Sequence, residues 1–501
     1  SDMIETPDSG SPGHLVRKLG LLGLTATGIC SMLGASINVV PFMIQRSVPG
    51  IGQYVLPAFL FAALPALLAA IAYSTLASAM PRAGGSYIYA SRGLNPYLGF
   101  IASFSQWFGL SIVIGVIAYV IVPFLRDIAL GMNWTILARW LEYGVIRVAI
   151  ALSLIWLFVY VNVRGAKSYE RTLIPLMLLM FALGAIVVVA GFSYDHADFA
   201  LKLMEKEGRV PPGDAANVFD WRVFLSAAAL LFSSFIGFDS NAQAGGEARN
   251  PTRSLPLAIA LAILIVGCFY FLFTAAVYHA VPWTFVAQEA MARDISAPGM
   301  LSYLLPAGLS VAILAGAAVA LINDLPAMLL AVSRLMFAWA DDGIFPARIA
   351  RVHSRFHTPH LALMVSGSIA SIGVLGSHFA GDFFLGIDIM VTAMMVNFLL
   401  MCLTLVTLPQ VNPQLASRVT LLKHRGVQKF LGWAGTLVLA GFLCIHVWKD
   451  LSAPVAAWYF HSSLVWLIVM ALGSVLFFVK LRSLKNSGTD VKELFSRLPE
   501  Q

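Results

Sequence analysis

The sequence predicts an all-α polytopic membrane protein, and three observations carry that prediction. Of its 501 residues 59% are hydrophobic and only 11% charged, far below the ~25% charged residues of an average soluble domain. Twelve mainly apolar stretches lie between Leu19 and Lys480, each near the roughly 20 residues that a helix needs to cross the hydrocarbon. Two of them, the first and the sixth, are interrupted by small polar residues at 28–38 and 233–246. Lipid offers a freed backbone N–H or C=O no partner, so a broken helix persists there only where it faces protein or a solvated cavity. The two breaks therefore predict a central binding site.

Taken in order, the spans are expected at 19–45, 52–78, 97–125, 147–163, 172–192, 221–246, 255–281, 306–340, 359–377, 384–408, 430–447 and 461–480. The fourth is the shortest. The eighth carries Pro326, whose missing amide predicts a kink or break there. Residues 1–13 lack an apolar core of their own and read as a disordered tail with no cleaved signal peptide. Cys30, Cys268, Cys402 and Cys444 fall within spans without CxxC spacing and read as reduced packing residues.

Lysine and arginine counts predict orientation, because cytoplasmic loops carry the excess. The N-terminal tail, alternate loops and the C-terminal tail hold 22 of the 32, and the other face holds 10. Both termini are thus expected in the cytoplasm of a multi-pass cell-membrane protein, and the net charge of +7 is a topological signal. No nucleic-acid partner is implied. Asn133-Trp134-Thr135 matches a glycosylation acceptor pattern, a weak signal on the outer side.

Broken helices at positions one and six fit two halves of opposite topology, helices 1–5 and 6–10, since an odd offset inverts the second half. The expected organisation is a tail at 1–18, a first repeat at 19–192, an outer loop at 193–220, a second repeat at 221–408, two further helices at 409–480 and a tail at 481–501. The outer loop, with six Asp/Glu and Pro211-Pro212-Gly213, reads as an exposed connector.

In the first break, Ser31, Gly34, Ala35 and Ser36 are small enough for backbone N–H groups to approach a carboxylate, although the same residues also make packing seams between membrane helices. In the sixth helix Ser233, Ser234, Phe235, Ile236, Gly237 and Phe238 combine hydroxyls and aromatics around one glycine. Aromatic rings there could close over a solute, although phenylalanine in a membrane helix more often faces lipid or core.

Intramembrane carboxylates are costly and point to function. Asp239, Asp324 beside Asn323, and Asp388 are the three. No lysine or arginine sits in the interior of a predicted span, so the expected partner of these acids is a proton, a sodium ion or a cationic substrate group. The alternative for Asp324 is a protonated carboxyl that hydrogen-bonds across helices. The histidines show no HExxH or paired metal spacing, and His353 and His357 lie in a basic loop. GxSxG, Walker and CxxC patterns are absent, so neither an enzyme nor an ATP-driven pump has residues to support it.

Several ordered motifs resemble the amino acid/polyamine/organocation superfamily of secondary transporters, of amino acid permease type. Met32-Leu33-Gly34-Ala35-Ser36-Ile37 is similar to its first-helix glycine motif. Tyr73-Ser74-Thr75-Leu76-Ala77 followed by Pro81-Arg82-Ala83-Gly84-Gly85-Ser86-Tyr87 is similar to the end of its second helix. Phe235-Ile236-Gly237-Phe238-Asp239, then Gly246-Glu247-Ala248-Arg249-Asn250-Pro251, looks like its sixth helix and following loop. Ser333-Arg334, Asp341-Asp342-Gly343 and Thr358-Pro359 match the end of the eighth helix and the start of the ninth.

The resemblance implies a five-plus-five inverted repeat and alternating access. It also implies a substrate carboxylate at Gly34, Ala35 and Ser36 and a substrate amine at the carbonyls of Phe235, Ile236 and Gly237. Helices 3 and 10 would supply walls. The sequence departs from the family at Ser36 and Asn38 and at Ser233 where a bulky aromatic is common. It also has no helix 5 lysine and carries Asp324 where a small hydroxyl residue is usual.

The expected function is a secondary transporter of an amino acid or related amine, working as a monomer or homodimer in the bilayer. No cofactor is expected, and transport is expected to be coupled either to a cation, Na+ or H+, at Asp324, Asn323, Asp388 and Asp239, or to exchange. A polyamine or organic-cation transporter is the first alternative, and a non-transporting solute sensor the second.

Overall fold

The computed structural model describes residues 14–381 and 383–501, all-helical with no strand among them. The longer helices in chain order are α1 (Leu21–Met32), α2 (Val40–Ser47), α3 (Val55–Ala79), α4 (Pro96–Gly131), α5 (Gly144–Val163), α6 (Ala166–Ser193), α7 (His196–Glu207) and α8 (Trp221–Leu231). They continue with α9 (Pro251–Ala280), α10 (Trp283–Ala292), α11 (Ala307–Asp341), α12 (His360–Ala380), α13 (Phe383–Val411), α14 (Arg425–Ser452) and α15 (Ser462–Asn486). Ten of the described helices are long and apolar enough to cross a membrane, while α1 and the 221–235 segment are shorter apolar pieces. The expected tail at 1–13 lies outside the described residues, as do the side chains of Ala35 and Ser36.

Local chemistry sets several boundaries. The Asn95 side chain accepts from the amides of Tyr97 at 2.9 Å and Leu98 at 3.2 Å, and Pro96 at the first helical position needs no partner for a missing N–H, so α4 starts there. Asp220 caps α8 in the same manner. At the end of α12 the left-handed Gly381 terminates the helix.

The bundle is centred on α4, which packs extensively against both α11 and α13. Most of α11 and α13 is buried, whereas α5, α6, α14 and α15 present large apolar side chains outward, among them Leu157, Leu178, Phe430 and Val475. Such an outward apolar skin suits lipid contact. Of the free cysteines, Cys30 and Cys402 pack inside, while Cys268 and Cys444 are exposed on this outer surface.

Two expectations are corrected. Pro326 does not interrupt the eighth predicted span, since α11 runs unbroken through it. The proline removes a single helical bond, the one to the carbonyl four residues before it, which a long and largely buried helix absorbs; separately, Asn162 on α5 ties this stretch to its neighbour by donating to the Pro326 carbonyl at 3.1 Å. The 193–220 connector is not bare loop, because α7 forms within it. Asp195 and Asp198 make a reciprocal capping box at its start and Gly208 ends it in the left-handed region. Its buried Phe199 and Leu203 seat Phe199 against Phe285 of α10, with ring centroids 4.8 Å apart.

The face carrying both terminal segments is tightly closed. Leu19 pairs with Ala248 and Ala83 with Ala244 in isolated bridges, and Arg17 donates to the carbonyls of Gly245 and Ala248 at 2.8 and 3.2 Å. Two buried ion pairs lie behind them. Arg334 grips Glu247 through two 2.8 Å bonds, and Arg92 holds Asp342 at 2.5 and 2.9 Å. Each side chain in these pairs is at most 3% exposed.

Candidate functional site

Both expected breaks are present. After α1 the chain is extended at Leu33, turns through Gly34 at φ 121° and resumes as a short helical turn, Ala35–Asn38. After α8 a 3-10 turn at Phe232–Phe235 gives way to extended Ile236 and then Gly237 at φ 131°. Both glycines occupy a backbone region that side-chain-bearing residues rarely adopt. At Gly34 a Cβ would also lie 2.9 Å from the Asp324 carboxyl carbon.

The freed backbone groups are partly satisfied by neighbours. The Gly34 carbonyl accepts from the amides of Ile37 and Asn38 and from the Asn38 side chain at 3.2–3.3 Å. The Tyr270 hydroxyl on α9 donates to the Met32 carbonyl. In the second break, the Gly237 amide donates to Asp239 at 3.2 Å, and Gln106 of α4 donates to the same carboxylate.

Between the breaks lies a small cavity of ≈ 20 Å³, about the room one water needs. Ser31, Ser233, Ile236 and Asp324 line it. Val113, Val116 and Ile117 of α4 and Ile387 and Met390 of α13 complete its walls with Met328. All of these side chains are buried, and the Ser31 and Ser233 hydroxyls and one Asp324 oxygen have no hydrogen-bond partner in the protein. A buried polar atom left without a partner costs roughly 1–3 kcal/mol. Three around one cavity mark a place suited to a polar or cationic guest.

The remaining predicted residues are distributed around this centre. Phe235 packs edge-on to Phe59 at 5.5 Å and Tyr270 at 5.9 Å, and Phe238 stacks on Phe398 at 5.1 Å. Ser234 is fully buried beside them. Asn323 is buried with both amide atoms unpartnered, one residue from Asp324 but outside the cavity lining. Asp239 is buried and belongs to the bonded frame of the second break. Asp388 sits apart, half-buried on α13, with its carbonyl 3.3 Å from the ring of His446 on α14. Gly34 and Gly237 shape the backbone, and Ala35 lies in the turn that follows Gly34 with Ser36.

Gln106 and Tyr270 were missed from sequence. Gln106 had a readable signal, an amide inside an apolar span. Tyr270 had none, because only the fold brings it to Met32. A further network ties the second break to its surroundings. Gln243 donates to the Ser86 hydroxyl at 2.7 Å, Ser86 shares a 2.6 Å bond with Tyr73, and Asn397 donates to Tyr73 at 2.7 Å. No cluster of three or more His, Cys, Asp or Glu fit to hold a metal occurs among the described residues. His353 instead accepts the amides of Arg355 and Phe356 at 3.1 and 3.2 Å.

The amino acid permease family model matches residues 19–473, a stretch that contains both breaks, the cavity and the closing ion pairs. The chain belongs to the amino acid permease family. This permease is similar to an uncharacterized transporter of Mycobacterium tuberculosis, 29% identical over 361 residues that cover 72% of this chain and 74% of the relative. The methylthioribose transporter of Bacillus subtilis is 24% identical over 380 residues, 72% of this chain and 75% of that one. The vacuolar cationic amino acid transporter 4 of Arabidopsis thaliana is 26% identical over 384 residues, covering 74% of this chain and 60% of its own length. Family and relatives place this permease among membrane transporters and not among enzymes.

Proposed function

We propose that this permease is a secondary active transporter of an amino acid or related amine, with the solute seated between the two helix breaks and a cation held at Asp324. The observation that carries the reading is the convergence of the Ser31 and Ser233 hydroxyls and one Asp324 carboxylate oxygen, all buried and unpartnered, on one cavity. Each broken helix counted as one span makes twelve. The two breaks then stand at matching positions of a five-plus-five inverted repeat, and half-helix ends there offer donors to an anion and carbonyls to a cation.

The excess of Lys and Arg on the face with both termini supports a cytoplasmic assignment for that face. Solute and ion would stabilise a closed state from which the bundle opens to the other side. The Arg334–Glu247 and Arg92–Asp342 pairs would have to part for release into the cytoplasm, Asp324 would take Na+ or H+, and Asn323 would support it.

A second reading has its own support. Asp324 faces the cavity with no cationic side chain paired to it among the described residues, and relatives include proteins named as cationic amino acid transporters, so an organic cation without a carboxylate is the alternative. Thermal unfolding of the purified protein over a panel of amino acids, polyamines and sugars, with and without sodium at two pH values, separates the readings. Stabilisation by zwitterionic amino acids supports the first, stabilisation by polyamines alone the second. Stabilisation by none of the panel contradicts both.

A further inference from the structure

A second, larger cavity lies on the face opposite the termini, between α2, the ends of α4 and α12, the start of α5 and the 294–296 segment. Its volume is ≈ 430 Å³, within the roughly 300–1,000 Å³ of small-molecule sites. Val116 lines both this vestibule and the small inner cavity, so a single side-chain layer of α4 separates the two. Val39 and Met43, which follow the first break, form part of the same wall.

The vestibule is lined by Arg46, Arg126 and Arg147 against Asp127 and Asp294. Arg46 pairs with Asp294 at 2.9 Å and Arg126 with its neighbour Asp127 at 3.0 Å. Arg147 has no carboxylate partner among the described residues. Its Nε donates to the Tyr119 carbonyl at 2.9 Å and its guanidinium carbon lies 3.5 Å from the centre of the Tyr119 ring. The Tyr119 hydroxyl is itself held 2.8 Å from His378 Nδ1. A guanidinium fixed by one N–H and a ring face keeps its two terminal nitrogens for a two-point bond to a carboxylate.

The geometry points to a carboxylate-binding subsite in the vestibule, with Arg147 as the receptor and the inner cavity one side-chain layer beyond. It rests on the amino acid reading, and it adds where such a solute is first held. A carboxylate-bearing solute would dock at Arg147, and a movement of the segment after the first break would then join the vestibule to the inner site. Solutes lacking a carboxylate would pass without that hold.

The test uses full-length protein and does not depend on knowing the transported solute. Ser377 lines the vestibule, and Ser377→Cys is titrated with an anionic and a cationic methanethiosulfonate reagent, with the Ser377 parent as background. The electropositive vestibule predicts at least about tenfold faster labelling by the sulfonate reagent than by the trimethylammonium one, relative to a free thiol. Propionate slows the labelling and propylamine does not. Adding Arg147→Gln removes most of the preference and the propionate effect, whereas Arg147→Lys keeps the preference within about twofold. Equal labelling by the two reagents, or propionate protection that survives Arg147→Gln, overturns the proposal. A failed amino acid reading shows up separately, as wild-type protein that no amino acid stabilises.

Discussion

The two broken helices meet backbone to backbone: a Cβ built on Gly237 falls 2.6 Å from both the carbonyl carbon and the carbonyl oxygen of Ser31. That contact, with Gly237 at φ 131°, lets the Ser31 and Ser233 hydroxyls share one cavity with Asp324.

Gly237→Ala is therefore expected to force the breaks apart. Left-handed strain alone costs about 1–3 kcal/mol, and the overlap with Ser31 adds to it. Thermal unfolding should show a clear loss, with solute uptake reduced at least about tenfold. Gly376→Ala is the matched control, since a Cβ there meets nothing within 4 Å and alanine favours the helix. An unfolding midpoint for Gly237→Ala equal to that control would remove the close approach from the account.

Asp324→Asn keeps the side-chain volume and removes the charge. Uptake in proteoliposomes should lose its dependence on a sodium or proton gradient while the folded protein survives. Persistence of full ion dependence in the asparagine variant would place the coupling ion elsewhere.

The buried Arg334–Glu247 pair closes the terminal face. Removing one partner strands a charge, and breaking such a pair costs about 3–5 kcal/mol, whereas replacing both by apolar groups is often neutral. Glu247→Gln should lower the unfolding midpoint strongly, and adding Arg334→Met should recover much of it. A double variant as unstable as the sum of its single changes would deny that the two side chains act as a unit.

Much of this arrangement was legible in the sequence. Gly34, Ser36, Ser233 and Gly237 stand out because small polar residues in long apolar runs have few other uses, and Asp324 because an acid in lipid is expensive. Other parts were not readable, for reasons of distance along the chain. Tyr270 reaches Met32 across 238 positions, and Arg147 gains its place from Tyr119 and His378 on other helices. Pro326 misled because sequence shows its missing amide but not the burial of the helix around it, which holds α11 continuous through the proline. The helix inside the 193–220 connector was marked only by its Asp195–Asp198 capping pair, set in a segment whose proline and acidic content reads as loop.

On the face opposite the termini, Glu289 of α10 sits between Arg209 and Arg293. Burial alone would raise its carboxyl, but hydrogen bonds and charge from the two arginines outweigh burial and hold it below the ordinary 4.5. A carboxylate with a depressed folded-state value contributes stability above its unfolded value and loses it as pH falls through the folded one. Glu289→Gln should thus lower the unfolding midpoint more at pH 7 than at pH 3.5. A gap between wild type and variant that is unchanged or wider at the lower pH would show that the ion pairs contribute nothing.

Accumulation of radiolabelled amino acids and amines in proteoliposomes probes the inner site most directly, comparing wild type with Ser31→Phe, whose ring overfills the ≈ 20 Å³ inner cavity. Wild type is expected to accumulate at least one of them against its gradient when a sodium or proton gradient is imposed, and folded Ser31→Phe to accumulate none. Undiminished accumulation by Ser31→Phe, or none by wild type under any gradient, would contradict a solute site between the two breaks.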